Sequence, residues 1–347
     1  MTHPPVRVVF GAGSTARIGD ELDALGIERV LLITTPRRSQ HVEAIRRSLS
    51  DRVVAAYDRA ALHVPIERVR DAVAAVERHS PDALIAVGGG SAIGLAKAVA
   101  LERPMPIVAV PTTYSGSEMT GIWGISDGAE KRTGRDASIA PRVVVYDPVL
   151  TLTLPAAVSA ASGVNAIAHA VEAMYAADAG PIATSAADQA IRLLSRSLPR
   201  IVARLDDMDA RTQALQGAHA AGVAMGLASM GLHHKICHVL GGTFGLPHAE
   251  THAAVLPHVV AFNAREVPLA MDRIADALGA SEAAGGLVEL NRTLGLTATL
   301  GDLGFRAEDV NRSAALIVSS SYANPRPVNE ADVRALLLSA LSRGGAM

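Results

Sequence analysis

Residues 82–97 read DALIAVGGGSAIGLAK. The aliphatic run 83–87 suits a strand buried on both faces, because nothing polar interrupts it. It passes straight into Gly88, Gly89, Gly90 and Ser91, and then into a small-residue segment that reads as a helix. Successive glycines let backbone amides approach a ligand that a Cβ would hold away. The helix start beyond them adds unpaired N–H groups and the positive end of a dipole. Strand, turn and helix together predict a cradle for a pyrophosphate. An ordinary tight strand-to-helix turn is the alternative, and it rarely needs three glycines in a row.

Upstream, residues 6–10 (VRVVF) predict a strand closed by Gly11-Ala12-Gly13, with a helix through Leu25. This superficially matches a dinucleotide fingerprint with Ala16 in the third small position. The acidic residue that should end the next strand is missing, however. Strand 29–33 ends instead in Thr34-Thr35-Pro36-Arg37-Arg38. Thr35 and Pro36 are therefore candidate ribose neighbours, and the two arginines would not repel a 2'-phosphate. Either NADH or NADPH is the expected cofactor.

A helix at 39–49, a strand at 53–57 and a helix at 66–77 continue the alternation expected of a parallel sheet. Strand 107–110 ends in 111–118, PTTYSGSE, which puts Thr112, Thr113, Tyr114 and Ser117 at a carboxyl edge, where open α/β sheets bind ligands. Phosphate or nicotinamide contact is expected there; a plain Ser/Thr turn is the other reading. Residues 131–136, KRTGRD, read equally as a solvated hairpin or as a place where an anion is met. A last strand is expected at 143–146.

From Pro155 onward the strand signals stop and Ala-rich segments of helical period take over, with turns expected at 180–181, 197–199, 245–247 and 324–327. The expected fold class is an α/β N-terminal dinucleotide-binding domain, a parallel sheet with flanking helices over 1–155, followed by an all-α catalytic domain over 156–347. The two halves are expected to meet at a cleft.

Residues 231–258, GLHHKICHVLGGTFGLPHAETHAAVLPH, hold six of the chain's 12 histidines. His234, His238 and His248 stand at offsets of 4 and 10. The first two share a helix face, and the Gly241-Gly242 pair is read as the turn that brings His248 back. Far upstream, Asn165 and His169 are also four apart on a helical segment. Imidazoles gathered this way hold a metal or move protons.

The lone Cys237 excludes an intrachain disulfide and is read as a small apolar filler rather than a nucleophile. At 347 residues two domains are the prior. With 49% hydrophobic and only 3% aromatic residues, the core must come from Ala, Val, Leu and Ile. A net charge of -2 with no basic run argues against nucleic acid and anionic membrane as partners. No signal peptide or membrane span is read, so a cytoplasmic enzyme is expected.

These motifs together carry a resemblance over essentially the whole chain. GGGSAIGLAK, PTTYSGSEMTGIWGI, KRTGRD, SGVNAIAHAVEA, LHHKICH, GLPHAETHAAVLPH and NPRP resemble the iron-containing (group III) alcohol dehydrogenase superfamily, whose fold is dehydroquinate synthase-like, and within it the maleylacetate reductases. Metal-dependent members of that superfamily bind their ion through an Asp and three His. The matching positions here are Asn165, His169, His234 and His248, so a neutral amide replaces the anionic ligand. Gly94 likewise stands where many relatives have Asp. The resemblance implies NADH- or NADPH-dependent reduction of maleylacetate, and of chlorinated analogues, to 3-oxoadipate in aromatic degradation, by a homodimer with no required metal. For that reaction His234 and His238 are expected to donate to the substrate oxygen, with His169 and His248 walling the site, and the family pattern puts Lys131 at cofactor phosphate. Arg132, Arg135, Lys235 and Arg326 are then candidates for the two carboxylates of a small dicarboxylate substrate, with Tyr322 closing the pocket. A metal-dependent alcohol dehydrogenase and a lyase similar to dehydroquinate synthase are the rival readings.

Overall fold

The aliphatic runs of the first half form strands because each is long enough to cross a sheet and apolar enough to be buried in it. In the computed structural model they are β1 (Arg7–Phe10), β2 (Val30–Ile33), β3 (Val53–Tyr57), β4 (Ala83–Gly88), β5 (Ile107–Pro111), β6 (Ile122–Asp127), β7 (Glu130–Arg135) and β8 (Val143–Tyr146). The structure describes residues 6–36, 40–128 and 130–342, the side chains of Glu130 and Lys131 excepted. Arg37, Arg38 and the Lys131 side chain, read above as cofactor neighbours, lie outside the described residues. The chain divides into two units between Leu154 and Pro155.

In the first unit six strands form one sheet in the order β1-β8-β5-β4-β2-β3, every pair parallel. The inner strands β2, β4, β5 and β8 are buried at every position, whereas the edge strands β1 and β3 are only partly so. That is what uninterrupted aliphatic runs require. Helices α1 (Ile18–Ala24), α2 (Gln40–Leu49), α3 (Ile66–His79) and α4 (Gly90–Glu102) connect the strands. The helix α3 buries Ile66, Val69, Ala72 and Val76, a one-sided stripe. In contrast α4 is buried around most of its circumference.

From β2 the chain moves outward to β3 and then returns to the other side of β2 as β4. The carboxyl ends of β2 and β4 therefore flank the point where the winding direction reverses, the place where open α/β sheets receive ligands. Strands β6 and β7 pair as an antiparallel hairpin. Of the two readings of KRTGRD, its backbone takes the hairpin one, while the partner strand 122–127 was not legible because Gly121 and Gly124 interrupt its apolar pattern. Gly134 is needed there: a Cβ would lie 2.7 Å from the Trp123 ring.

The second unit is helical: α5 (Ala156–Tyr175), α6 (Pro181–Ala203), α7 (Met208–Leu227), α8 (Leu232–Phe244), α9 (His248–Asn263), α10 (Pro268–Leu278), α11 (Ala283–Thr293), α12 (Val310–Val318) and α13 (Glu330–Leu341). Two expected turns are absent. The helix α6 runs through Ser197 and Pro199, because Leu194 and Leu198 are fully buried. They seat where Gly217 and Gly163 leave room; a Cβ at those glycines would come within 2.7 and 2.5 Å of them. That packing outweighs the backbone hydrogen bond the proline gives up. Likewise α8 continues through Gly241 and Gly242, and the reversal before His248 occurs at Gly245, whose φ of 70° is left-handed. Among the described residues no helix is long and apolar enough to cross a membrane.

Candidate active site

At the carboxyl edge of the first unit's sheet, Gly88 ends β4 with φ 153°, and a Cβ there would stand 2.9 Å from that of Ala92. A Cβ on Gly89 would come within 2.9 Å of the Thr113 side chain. The Thr112 N–H donates to the Gly88 carbonyl at 3.0 Å, tying the loop after β5 to the glycine turn. Gly90 opens α4 and is exposed, with Ser91 half-buried beside it. Thr35 and Pro36 follow β2, the neighbour of β4, and are half-buried and exposed respectively. Such a narrow backbone shelf at a helix start fits a dinucleotide pyrophosphate. Thr112, Thr113 and Ser117 are half-buried, whereas Tyr114 is fully buried and braces the loop from below.

Lys97 was not singled out from the sequence, yet it anchors this loop. Its buried ammonium donates to the Ser117 carbonyl at 2.6 Å, the Ile122 carbonyl at 3.1 Å and Thr120 Oγ1 at 3.4 Å. Burial pushes Lys97 down to about 7, and the Glu118 carboxyl opposes that shift. Burial in turn raises Glu118, which accepts a hydrogen bond from Tyr146 Oη at 2.8 Å.

In the second unit α5 presents Asn165, His169 and Glu172 at spacings of four and three, all buried on one face. Glu172 is the residue that organises the site. Its Oε2 lies 2.6 Å from His234 Nδ1 and accepts the Gly231 N–H at 2.9 Å, while Oε1 accepts the His233 N–H at 2.8 Å. One carboxylate thus caps the start of α8 and fixes the His234 ring. His169 stacks on His234 with ring centroids 4.7 Å apart, and His238 stands edge-on to His234 at 6.2 Å and stacked with His248 at 6.4 Å. His252 packs against both His234 and His248, at 4.9 and 4.5 Å. His233 Nε2 and His252 Nδ1 are 2.8 Å apart. Burial, then neighbouring imidazoles, hold both of these histidines well below the usual range, so they are neutral near pH 7.

The two halves of the chain match the iron-containing alcohol dehydrogenase model over residues 5–148 and the C-terminal Fe-containing alcohol dehydrogenase model over 159–341. A maleylacetate reductase of Sphingobium indicum is 49% identical over 96% of this chain and 94% of its own length. One from Burkholderia cepacia is 46% identical over 95% and 94%. The chain belongs to the maleylacetate reductase branch of the iron-containing alcohol dehydrogenase family. The crystal structure of a maleylacetate reductase from Rhizobium sp. superposes with a TM-score of 0.93 at 41% identity, covering 99% of this chain and 98% of that one.

The family's name implies iron, and the residues at the matching positions do not suit it. Asn165 Oδ1 and His234 Nε2 are buried without a hydrogen-bond partner among the described residues, but Asn165 is neutral. His169 and His234 lie nearly parallel, 19° apart, so their lone pairs do not converge well on one ion. Among the described residues, the histidine, cysteine and carboxylate group whose ligand atoms come within 4.8 Å of one another is His233, Cys237 and His252, which is not the family's set. A ferrous ion prefers at least one anionic oxygen or thiolate, and the Asn165 group offers none.

In this maleylacetate reductase relative the candidate substrate cations lie on several elements. Arg326 stacks on Phe262 at 4.0 Å and reaches Asp332 at 3.4 Å. The loop that carries it is pinned by Asn324, which exchanges amide hydrogen bonds with Asn263 at 3.0 and 2.8 Å. Tyr322 is half-buried, and burial followed by the Glu172 charge raises its pKa. Lys235 follows His234 on α8, half-buried, with its pKa lowered by burial. Arg132 and Arg135 are exposed on β7 and, three apart on a strand, point to opposite faces of the hairpin. Glu172, His233 and His252 were missed in the sequence. The spacing of Glu172 from His169 and of His252 from His248 was visible there, but their partners were not.

Proposed function

We propose that the chain is an NADH- or NADPH-dependent maleylacetate reductase that works in the cytoplasm as a homodimer and needs no metal for turnover. One arrangement carries this reading: a buried imidazole, His234, fixed at Nδ1 by Glu172, in a site where Asn165 replaces a metal-binding carboxylate.

The substrate is a dicarboxylate whose C=C bond is conjugated to a ketone. The reduced nicotinamide supplies hydride when bound. The acceptor is the alkene carbon beta to the ketone; the π electrons shift onto the ketone oxygen, and a proton finally joins the alpha carbon to give 3-oxoadipate. The chain's task is to stabilise the charge that develops on that oxygen. With Nδ1 donating to Glu172, His234 offers an Nε2–H as the imidazolium, whose charge Glu172 neutralises. His238, half-buried on the next turn of α8, is the second donor and the route by which a proton reaches the site. His169 and His248 wall the site. Arg326, Lys235 and Tyr322 meet the substrate carboxylates, guanidinium matching carboxylate in two-pronged fashion. Of Arg132 and Arg135, only one can face a given anion.

For the cofactor, Gly88, Gly89, Gly90 and Ser91 hold pyrophosphate, Thr35 and Pro36 border the ribose, and Thr112, Thr113 and Ser117 line the loop braced by Tyr114; Lys131 serves phosphate. Without an acid at the end of β2, neither cofactor is excluded. The test is purified protein given maleylacetate and NADH or NADPH. One cofactor oxidised per 3-oxoadipate formed supports the reading. Turnover of primary alcohols instead, or substrate loss without cofactor oxidation, would replace it with a dehydrogenase or lyase.

A further inference from the structure

Behind the proposed catalytic imidazoles, His233 and Cys237 lie four apart on α8 and face His252 of α9, all three buried to 0–1% exposure. Cys237 Sγ is 3.8 Å from His233 Nε2, the facing nitrogens of His233 and His252 are 2.8 Å apart, and the three ligand atoms lie within 4.8 Å of one another. None of the three occupies a position of the family's Asn165, His169, His234 and His248 set. We propose that His233 Nε2, His252 Nδ1 and Cys237 Sγ form a separate binding site for a thiophilic divalent ion of the zinc class.

The make-up and closeness of the group favour this site: two imidazoles and a thiol, all buried, bring their ligand atoms within 4.8 Å of one another. Tetrahedral zinc with bonds of about 2.0–2.3 Å places two nitrogens roughly 3.3 Å apart and nitrogen and sulfur about 3.6 Å apart, so an ion would replace the 2.8 Å contact between His233 and His252 and draw Cys237 Sγ in from 3.8 Å. A thiolate formed from Cys237 by loss of its proton would offset half the charge of a dication. The ligand set is soft, suiting zinc or cobalt rather than magnesium or calcium. The ion is structural: it cross-links α8 to α9 behind the reacting groups.

The test uses the full chain produced in cobalt-supplemented medium and desalted. One cobalt per chain is expected, with a near-ultraviolet thiolate-to-cobalt absorption band and a melting temperature above that of the ion-free protein. Cys237→Ser should lose the band, His252→Asn should lose the ion, and His169→Ala should keep both. Should the variants fold poorly, X-ray absorption of zinc-loaded wild type reports the same point, one sulfur and two or more nitrogen scatterers being expected. No retained ion, an ion without sulfur in its shell, retention in His252→Asn, or loss in His169→Ala would each overturn the site.

Discussion

Glu172 joins a helix cap to a side-chain orientation, and its value should be measurable. Glu172→Gln keeps the shape but removes the charge opposite His234. Turnover should fall roughly 10- to 100-fold, as when a group that orients a catalytic imidazole is altered, while the KM for NADH stays within about twofold. Steady-state kinetics with varied NADH checks this; an unchanged kcat would return Glu172 to a purely structural cap. His238→Ala should lower kcat on the order of 10²-fold, the usual effect of losing a donor to a developing oxyanion, with NADH affinity kept. Near-normal turnover would remove His238 from the site. The histidines themselves were legible in the sequence, because six of them crowd into 28 residues. Their division of labour was not. Whether His233 or His238 points toward His252 depends on how α8 packs on α9, and Glu172 finds its partners some 60 residues further along the chain.

The strand–glycine–helix element was read directly, since an apolar run and three glycines are local signals. Gly88→Ala tests its geometry: φ 153° and the Ala92 contact at 2.9 Å both oppose a side chain. The variant should lose roughly 1–3 kcal/mol of stability in urea unfolding and bind NADH more weakly by fluorescence titration. Lys97 was passed over because a lysine in the second half of a helix looks like an ordinary surface charge. Its three acceptors lie on segments that only the fold brings together. Lys97→Met should raise the Kd for NADH about tenfold, equivalent to ~1.4 kcal/mol. The lysine also leaves a pH signature. Its folded-state pKa of about 7 lies below the ordinary 10.5, so between those values the unfolded chain holds the extra proton. Stability from this group is therefore least below about pH 7 and rises toward pH 10.5. Urea unfolding across that window should show a smaller rise in Lys97→Met than in wild type; equal slopes would contradict the assignment. The turn misplaced at Ser197 to Pro199 has a packing cause: a local helix breaker was outweighed by Leu194 and Leu198, which a single sequence does not pair with Gly217 and Gly163; at Gly241-Gly242 the helix continues to the left-handed Gly245.

On the scale of the whole chain, a sequence with 3% aromatic residues builds one unit around aliphatic strands and the other around Ala- and Gly-lined helix contacts. The change of pattern near Pro155 was visible as the end of strand signals. What each unit offers is chemically different. The first has a backbone shelf and a braced hydroxyl loop, and the second has buried imidazoles set by one carboxylate. The proposed reduction without a catalytic metal rests on that division, because an activated double bond needs proton donors at oxygen more than it needs a Lewis acid. The most direct measurement is NADH oxidation with maleylacetate by protein dialysed against a strong chelator, before and after iron or zinc is returned. The account predicts the same rate at every stage, with one NADH consumed per 3-oxoadipate formed. Activity that vanishes on chelation and returns with iron would contradict it.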